Sequence, residues 1–275
     1  MKALCRDLGE MDYAACWDLQ RTLFEELTAA KKGAGGLNAG TASNEPSPRD
    51  GDADKIGTVL LVEHPPVYTL GKSGHAENLL VDRMALERLG AQFFHIDRGG
   101  DITFHGPGQL VCYPVLDLER IGIGLREYID RLEETVIRTV ARYGIAAGRI
   151  AGASGVWIGG PEETAADKEC AEETAGRRAA ANREKDVPRK ICAIGVRSSR
   201  YVTMHGFALN VTTDLEWFSR INPCGFRDRG VTSIARETGR RVAMEEVKRL
   251  VVQELERQLG IEIGSEFSDR SLRAR

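Results

Sequence analysis

A chain folds around what it can bury, and from Pro161 to Arg189 this one has almost nothing to bury. The stretch carries EETAADK and EETAGRR, seven alanines and many mixed charges, with Val187 as its one large aliphatic residue. Transient helix is possible there, but no apolar stripe exists to dock it. Lys31 to Lys55, rich in Gly, Ala, Asn, Ser and Pro, is likewise aperiodic and reads as a mobile surface loop. The two EETA copies are too short and too few to signal a repeat architecture. Both stretches are therefore expected as surface insertions, at about 31–55 and 161–189, in a single domain spanning 1–275 rather than as linkers. Most of the 42% of residues that are hydrophobic then fall in the remaining segments, enough for a substantial core.

Those segments alternate between two periods. Ala15 to Ala29 places Cys16, Leu19, Leu23 and Leu27 at helical spacing, and Tyr128 to Tyr143 does so with Ile129, Leu132, Val136 and Val140. A last helix is expected from Met244 to Leu259, ended by Gly260. Short β-rich runs occur at Thr58 to Glu63, Phe93 to Asp97, Leu110 to Val115, Gly155 to Ile158, Ile191 to Val196 and Phe207 to Val211. The pattern is mixed α and β, with amphipathic helices on a sheet.

Charge and cysteine content exclude several classes. Thirty-eight basic and 41 acidic side chains leave a net charge of −3, so no global field recruits nucleic acid or an anionic membrane, and neither is expected as a partner. The six cysteines show no C-x-x-C spacing, which argues for a reducing compartment and against disulfides or structural zinc. With no signal-like N-terminus and no apolar run of about 18 residues, a cytoplasmic protein is expected.

Three features carry chemistry. Cys224 sits in Asn222-Pro223-Cys224-Gly225, where Pro223 fixes φ and Gly225 adopts dihedrals closed to other residues, so a thiol is held at a sharp turn; a packed thiol remains the alternative. Arg98 to Gln109, RGGDITFHGPGQ, lies between two expected strands and exposes backbone to close approach, as an anion or carbonyl cradle or as an ordinary glycine-rich hairpin. Lys190 opens the apolar run KICAIGVR. At a strand edge it is either a solvated gatekeeper or, beside Cys224, a cation that favours the thiolate and, once deprotonated, a base. His105 and His205 are candidate bases or structural residues, and His64 before Pro65-Pro66 is suited to hold a strand end.

RGGDITFHGPGQ, KICAIGVR, MHGFALNV and INPCGF, in this order, with EHPPVYTLG upstream, resemble the lipoyl(octanoyl) transferases. The resemblance covers roughly Leu61 to Ile234 apart from the second insertion. It implies an α+β fold, a mixed β-sheet flanked by helices, similar to the biotin and lipoate protein ligases. It implies transfer of an octanoyl group from octanoyl-acyl carrier protein to a lysine of lipoate-dependent enzymes, with the lipoyl domains of 2-oxoacid dehydrogenases and the glycine cleavage H protein as acceptors. Cys224 matches the acyl-thioester nucleophile and Lys190 the lysine that lowers its pKa and shuttles protons. Arg98, Gly99, Gly100, Asp101, Ile102, Thr103, Phe104 and His105 match the substrate-binding loop. Ala193-Ile194-Gly195 and Gly206-Phe207-Ala208 match two further substrate-contacting segments, whose small residues would leave room for an acyl chain. The 161–189 insertion enters just before Lys190, so the placement of that lysine depends on the insertion looping out.

The chemistry suits these residue types. A thioester exchanges with a thiolate at nearly constant acyl-transfer potential, so neither ATP nor any metal or other cofactor is needed. Three other readings stand beside it: an ATP-dependent lipoate or biotin ligase, a Cys-His hydrolase using His105 or His205, and a noncatalytic carrier-binding module.

Overall fold

The computed structural model describes residues 1–34, 55–159, 187–222 and 229–266. Its central sheet is explained by strand β2 (Lys55–Glu63), where the side-chain period of two sends alternate residues into different cores. Val59 and Leu61 enter the larger core on one face, and Leu60 and Val62 a smaller one on the other. β6 (Gln109–Leu116) divides in the same way, with Leu110 and Cys112 on one side and Val111 and Tyr113 on the other. Strands buried on both faces read as continuous apolar runs, which is why both were visible in the sequence.

The faces are covered by helices. α1 (Tyr13–Ala34) lays Cys16, Leu19, Leu23 and Phe24 over the smaller cores. After the short α2 (Arg83–Arg88) and α3 (Leu118–Ile121), α4 (Leu125–Ala141) buries Tyr128, Leu132, Val136 and Val140 on the opposite face. Past α5 (Ile234–Thr238), α6 (Met244–Leu259) adds Val247, Val251, Leu255 and Leu259 there, each such burial being worth ~1.5–3 kcal/mol. α6 ends at Gly260, which takes φ +67° and donates its N–H to the Glu256 carbonyl at 2.9 Å.

The remaining strands are β1 (Lys2–Glu10), β3 (Val67–Leu70), β4 (Gln92–His95), β5 (Ile102–His105), β7 (Gly148–Ile150), β8 (Ala153–Ile158), β9 (Arg189–Ser199), β10 (Val202–Asn210), β11 (Gly230–Val231) and β12 (Glu262–Glu266). The large sheet runs β12-β1-β2-β6-β10-β9-β8-β7, with β11 paired to β9. β1 is parallel to both β2 and β12, whereas β2–β6, β6–β10 and β10–β9 are antiparallel, so the sheet is mixed. A second sheet, β4-β3-β5, stands beside it over its own core of Tyr68, Leu86, Phe104 and Phe218. Among the described residues no helix is long and apolar enough to cross a membrane.

The edges of both expected insertions differ from the sequence reading. Lys31 is held by ion pairs at 2.7 Å to Asp117 and to Glu119, and Lys55 already opens β2. Arg189 opens β9, because its guanidinium forks onto both oxygens of Glu237 at 2.7 and 2.8 Å. The remainder, 35–54 and 160–186, lies outside the described residues.

Candidate active site

The Arg98–Asp101 turn is stitched to both sheets by its backbone. Lys72 donates its N–H to the Arg98 carbonyl at 2.9 Å, and Gly99 donates to the Val196 carbonyl of β9 at 3.0 Å. Inside the turn the buried Arg98 guanidinium donates to the carbonyls of Thr69 at 2.8 Å, Gly99 at 3.0 Å and Asp101 at 2.7 Å. The Asp101 carboxylate accepts from the Ile102 and His75 N–H groups at 2.7 and 3.1 Å. The segment expected as an anion or carbonyl cradle or as a glycine-rich hairpin contains β5, paired with β3, and a loop wrapped around a charged side chain.

Gly195 explains how that loop lies so close to β9. A Cβ there would meet the Gly99 carbonyl oxygen at 2.8 Å and Arg98 Cδ at 3.1 Å. At Gly206 it would meet the Cys112 carbonyl oxygen of β6 at 2.2 Å. A Cβ position at each of these glycines is taken by a neighbouring main chain, so the glycines allow main chains to touch, while both residues also line the cavity described below.

Lys190 is set by a β-bulge. Trp157 of β8 opposes Lys190 and Val156 opposes Cys192, so Ile191 is an extra residue on β9. Alternation breaks there: Ile191 and Cys192 both enter the core, while Lys190 lines the cavity. Its ammonium lies 4.6 Å from the centroid of the Trp157 ring.

The histidines are fixed by polar partners. His105 Nδ1 donates to Gln109 Oε1 at 2.8 Å, since a carbonyl oxygen only accepts, and Nε2 faces Thr69 Oγ1 at 3.4 Å. Burial pulls its pKa down to about 3, and the nearby His64 and Arg98 add to this. His205 adopts φ +64°, a conformation rare for a non-glycine residue, and its Nε2 donates to Asp97 Oδ1 at 2.9 Å. Burial holds its pKa down despite that carboxylate. Asp97 also pairs with Arg197. His64 has the strand-end role expected of it, bridging the Met11 carbonyl at 2.8 Å and the Tyr113 hydroxyl at 3.0 Å.

A cavity of about 530 Å³ lies between the turn and the strands, within the usual ligand-pocket range. It brings together Lys190, Arg98, Gly99, Gly100, Asp101, Ile102, Thr103, His105, Ala193, Ile194, Gly195, Gly206, Phe207 and Ala208. Phe104 is the exception: it is fully buried and stacks on Trp217 at 5.1 Å between ring centroids, in the core of the small sheet. Strand alternation turns it away from its neighbours Thr103 and His105.

Tyr13, Gln109, Tyr113, His205 and Asn210 also line the cavity. Gln109 closed the glycine-rich motif, and His205 opened HGFALN, but nothing in the local pattern marked Tyr13.

Cys224 lies outside the described residues, as do Pro223, Gly225 and Cys170. Its flanks are fixed: Asn222 donates its N–H to the Asn78 carbonyl at 2.8 Å, and Gly230 donates to the Pro188 carbonyl at 2.9 Å. The other four thiols are buried, with pKa values raised by desolvation, to about 12 at Cys5 and at Cys16 and also upward at Cys112 and Cys192.

The fold, a mixed sheet with helices on both faces, is shared with lipoate protein ligases. In solved structures it recurs in the bipartite lipoate protein ligase of Thermoplasma acidophilum (TM-score 0.60, 15% identity, 99% of this chain and 90% of that one). It recurs also in a lipoate-protein ligase A bound with ATP (TM-score 0.59, 14% identity, 99% and 92%), and at these identities the likeness is one of fold. The family model for the lipoyl protein ligase A/B catalytic domain matches residues 12–256, and the chain belongs to that family. Its similarity to curated octanoyltransferases reaches 46% identity over 255 residues for Bacteroides fragilis, covering 93% of this chain and 97% of that protein. For Flavobacterium johnsoniae it is 43% over 255 residues, 92% and 95%. The chain is an acyltransferase of the octanoyltransferase branch, acting in lipoate biosynthesis.

Proposed function

We propose that the protein carries an octanoyl group from octanoyl-acyl carrier protein to the target lysine of lipoyl domains, those of 2-oxoacid dehydrogenases and the glycine cleavage H protein, by way of a thioester on Cys224, in the cytoplasm. The observation that carries this reading is the cavity itself: Lys190 stands in a wall built from the Arg98–His105 turn and the middle strands. Phe218 and Val231, on either side of the Cys224 segment, line the same cavity.

In the first half-reaction the Cys224 thiolate attacks the thioester carbonyl, the carrier thiolate departs, and the octanoyl group rests on sulfur. In the second, the acceptor amine attacks the acyl-enzyme, an amide forms and the Cys224 thiolate is released. The acceptor ammonium has an ordinary pKa near 10.4 and must lose a proton before attack, a role that suits Lys190 in its neutral form. The protonated form stabilises the thiolate beforehand. His105 is poorly suited to that task, because its desolvated ring resists protonation.

Intact mass spectrometry after mixing the protein with octanoyl-carrier thioester tests the reading. The expected result is one octanoyl adduct, mapped to Cys224 and absent from Cys224→Ala. An adduct on Cys112 or Cys192, or full turnover by Cys224→Ala, overturns it. Activity requiring ATP and free octanoate would make the chain a ligase instead.

A further inference from the structure

Two cations reach one indole from different parts of the chain. Lys190 Nζ lies 4.6 Å and Arg229 Cζ 5.2 Å from the centroid of the Trp157 ring, both inside the ~6 Å range over which an aromatic face attracts a cation. The ring is well placed to hold them. Trp157 is only 3% exposed, and its Nε1 donates to the Ala153 carbonyl at 3.0 Å, so the indole cannot swing. Tryptophan offers the strongest π face of the aromatic side chains, and a desolvated one counts for more than an exposed one. Trp157 is not among the residues that line the cavity.

The backbone brings the same two residues together. Arg229 directly precedes β11, whose Gly230 and Val231 pair with Arg189 and Lys190. Thr232 donates its N–H to the Lys190 carbonyl at 3.0 Å, and its hydroxyl donates to Glu237, the partner of Arg189, at 2.6 Å. The main chain thus fixes where Lys190 begins, and the indole fixes where its long, flexible side chain ends.

We infer that Trp157 is a positioning residue whose indole holds the Lys190 ammonium at the cavity wall and also seats Arg229. The inference borrows from the proposed function only the catalytic meaning of Lys190. The anchoring stands on geometry.

Other charged groups face this corner. Glu133 of α4 is bound to the Gly155 N–H and to Arg149, the Arg189–Glu237 pair lies at the next residue, and the Cys192 thiol is kept neutral by burial. A test must leave their field untouched.

Progressively fluorinated tryptophans placed at position 157 meet that requirement, because fluorine drains the π face with little change in ring shape or in the N–H donor. Competitive amine labelling across pH, followed by peptide mass spectrometry, reads the titration of Lys190 with no need for turnover. The expected result is a stepwise fall in that titration, ~0.5–1 unit over the series. Trp157→Phe should lie between native and the most fluorinated form. A titration of Lys190 that stays constant across the series overturns the inference. Octanoylation rates measured on the same proteins separate the two claims: a shifted titration with an unchanged rate supports the anchor and removes Lys190 from the chemistry.

Discussion

Gly155→Ala tests the β8–β9 junction that presents Lys190. Gly155 adopts φ +119°, outside the range an L-residue tolerates, and such strain costs ~1–3 kcal/mol. A Cβ there would lie 2.5 Å from the Cys192 carbonyl oxygen, and 3.4 Å, an ordinary contact, from Lys190 Cε. The backbone at Cys192 cannot step aside freely, since it is paired with Leu209 of β10 on its other edge, so the overpacking adds ~1–3 kcal/mol. Reduced freedom of the unfolded chain returns ~0.4–1 kcal/mol. The net loss is about 1–5 kcal/mol, read as a fall of about 2–10 °C in Tm. Urea unfolding and calorimetry measure it directly. Gly144→Ala is the control, with φ +72° and no atom within 4 Å of the added methyl, and should cost ~1 kcal/mol. Octanoyl transfer by Gly155→Ala should drop at least tenfold, because displacing a reacting group by about 1 Å costs ~100-fold. A variant within ~0.5 kcal/mol of native and fully active would refute the clash and the link to Lys190 together.

Other expectations concern the site and its surroundings. Lys190→Arg keeps the charge but cannot give up a proton, so rapid-quench mass spectrometry should find acyl-enzyme accumulating while transfer to the acceptor lysine stalls. Removing Glu163 to Lys185 and joining the ends through Gly-Ser should leave transfer within a few-fold of native, because Ile158 and Arg189 are already ladder partners and a short hairpin can close between them. Loop closure changes by only ~0.6 kcal/mol per halving of length, and loss of acylation from a small thioester would disprove this reading. The Asp97 pKa is held down by the hydrogen bond from His205 and then by Arg197, so its contribution to stability is present above the unfolded carboxylate pKa of ~3.9 and is lost as pH falls through the folded value. Asp97→Asn should therefore be less stable than native at neutral pH, and the gap should close under acid. A gap that stays constant as pH falls from neutral into strong acid would contradict the assignment.

What the sequence disclosed follows from how local each signal is. α6 was legible to the residue because Val247, Val251 and Leu255 repeat at helical spacing and Gly260 ends it. β2 and β6 were legible because both of their faces are buried. β1 was missed, since KALCRDLGE mixes charge into a strand whose partners lie far along the chain. β5 was hidden inside a glycine-rich run because its partner β3 is remote. α2 buries little beyond Leu86 and leaves Met84 exposed, so its period is faint. At the site, Lys190 and the Arg98 turn were found by motif order. The Ile191 bulge, the φ of His205 and the shared indole of Trp157 depend on contacts across strands, which no local window contains.

The pairing of β12 with β1 has a consequence for the life of the chain before it is folded. Ala3 lies opposite Ile263, so one edge of the large sheet joins strands far apart in sequence, and β12 is synthesised long after β1. Until β12 leaves the ribosome, β1 presents a bare row of amide and carbonyl groups on that edge, the kind along which nascent chains stick to one another. Contacts of such long sequence separation also form slowly. Truncation before Glu262 should therefore spare the cavity in any molecule that folds, while lowering the fraction of molecules that reach the folded state, a defect of yield rather than of catalysis.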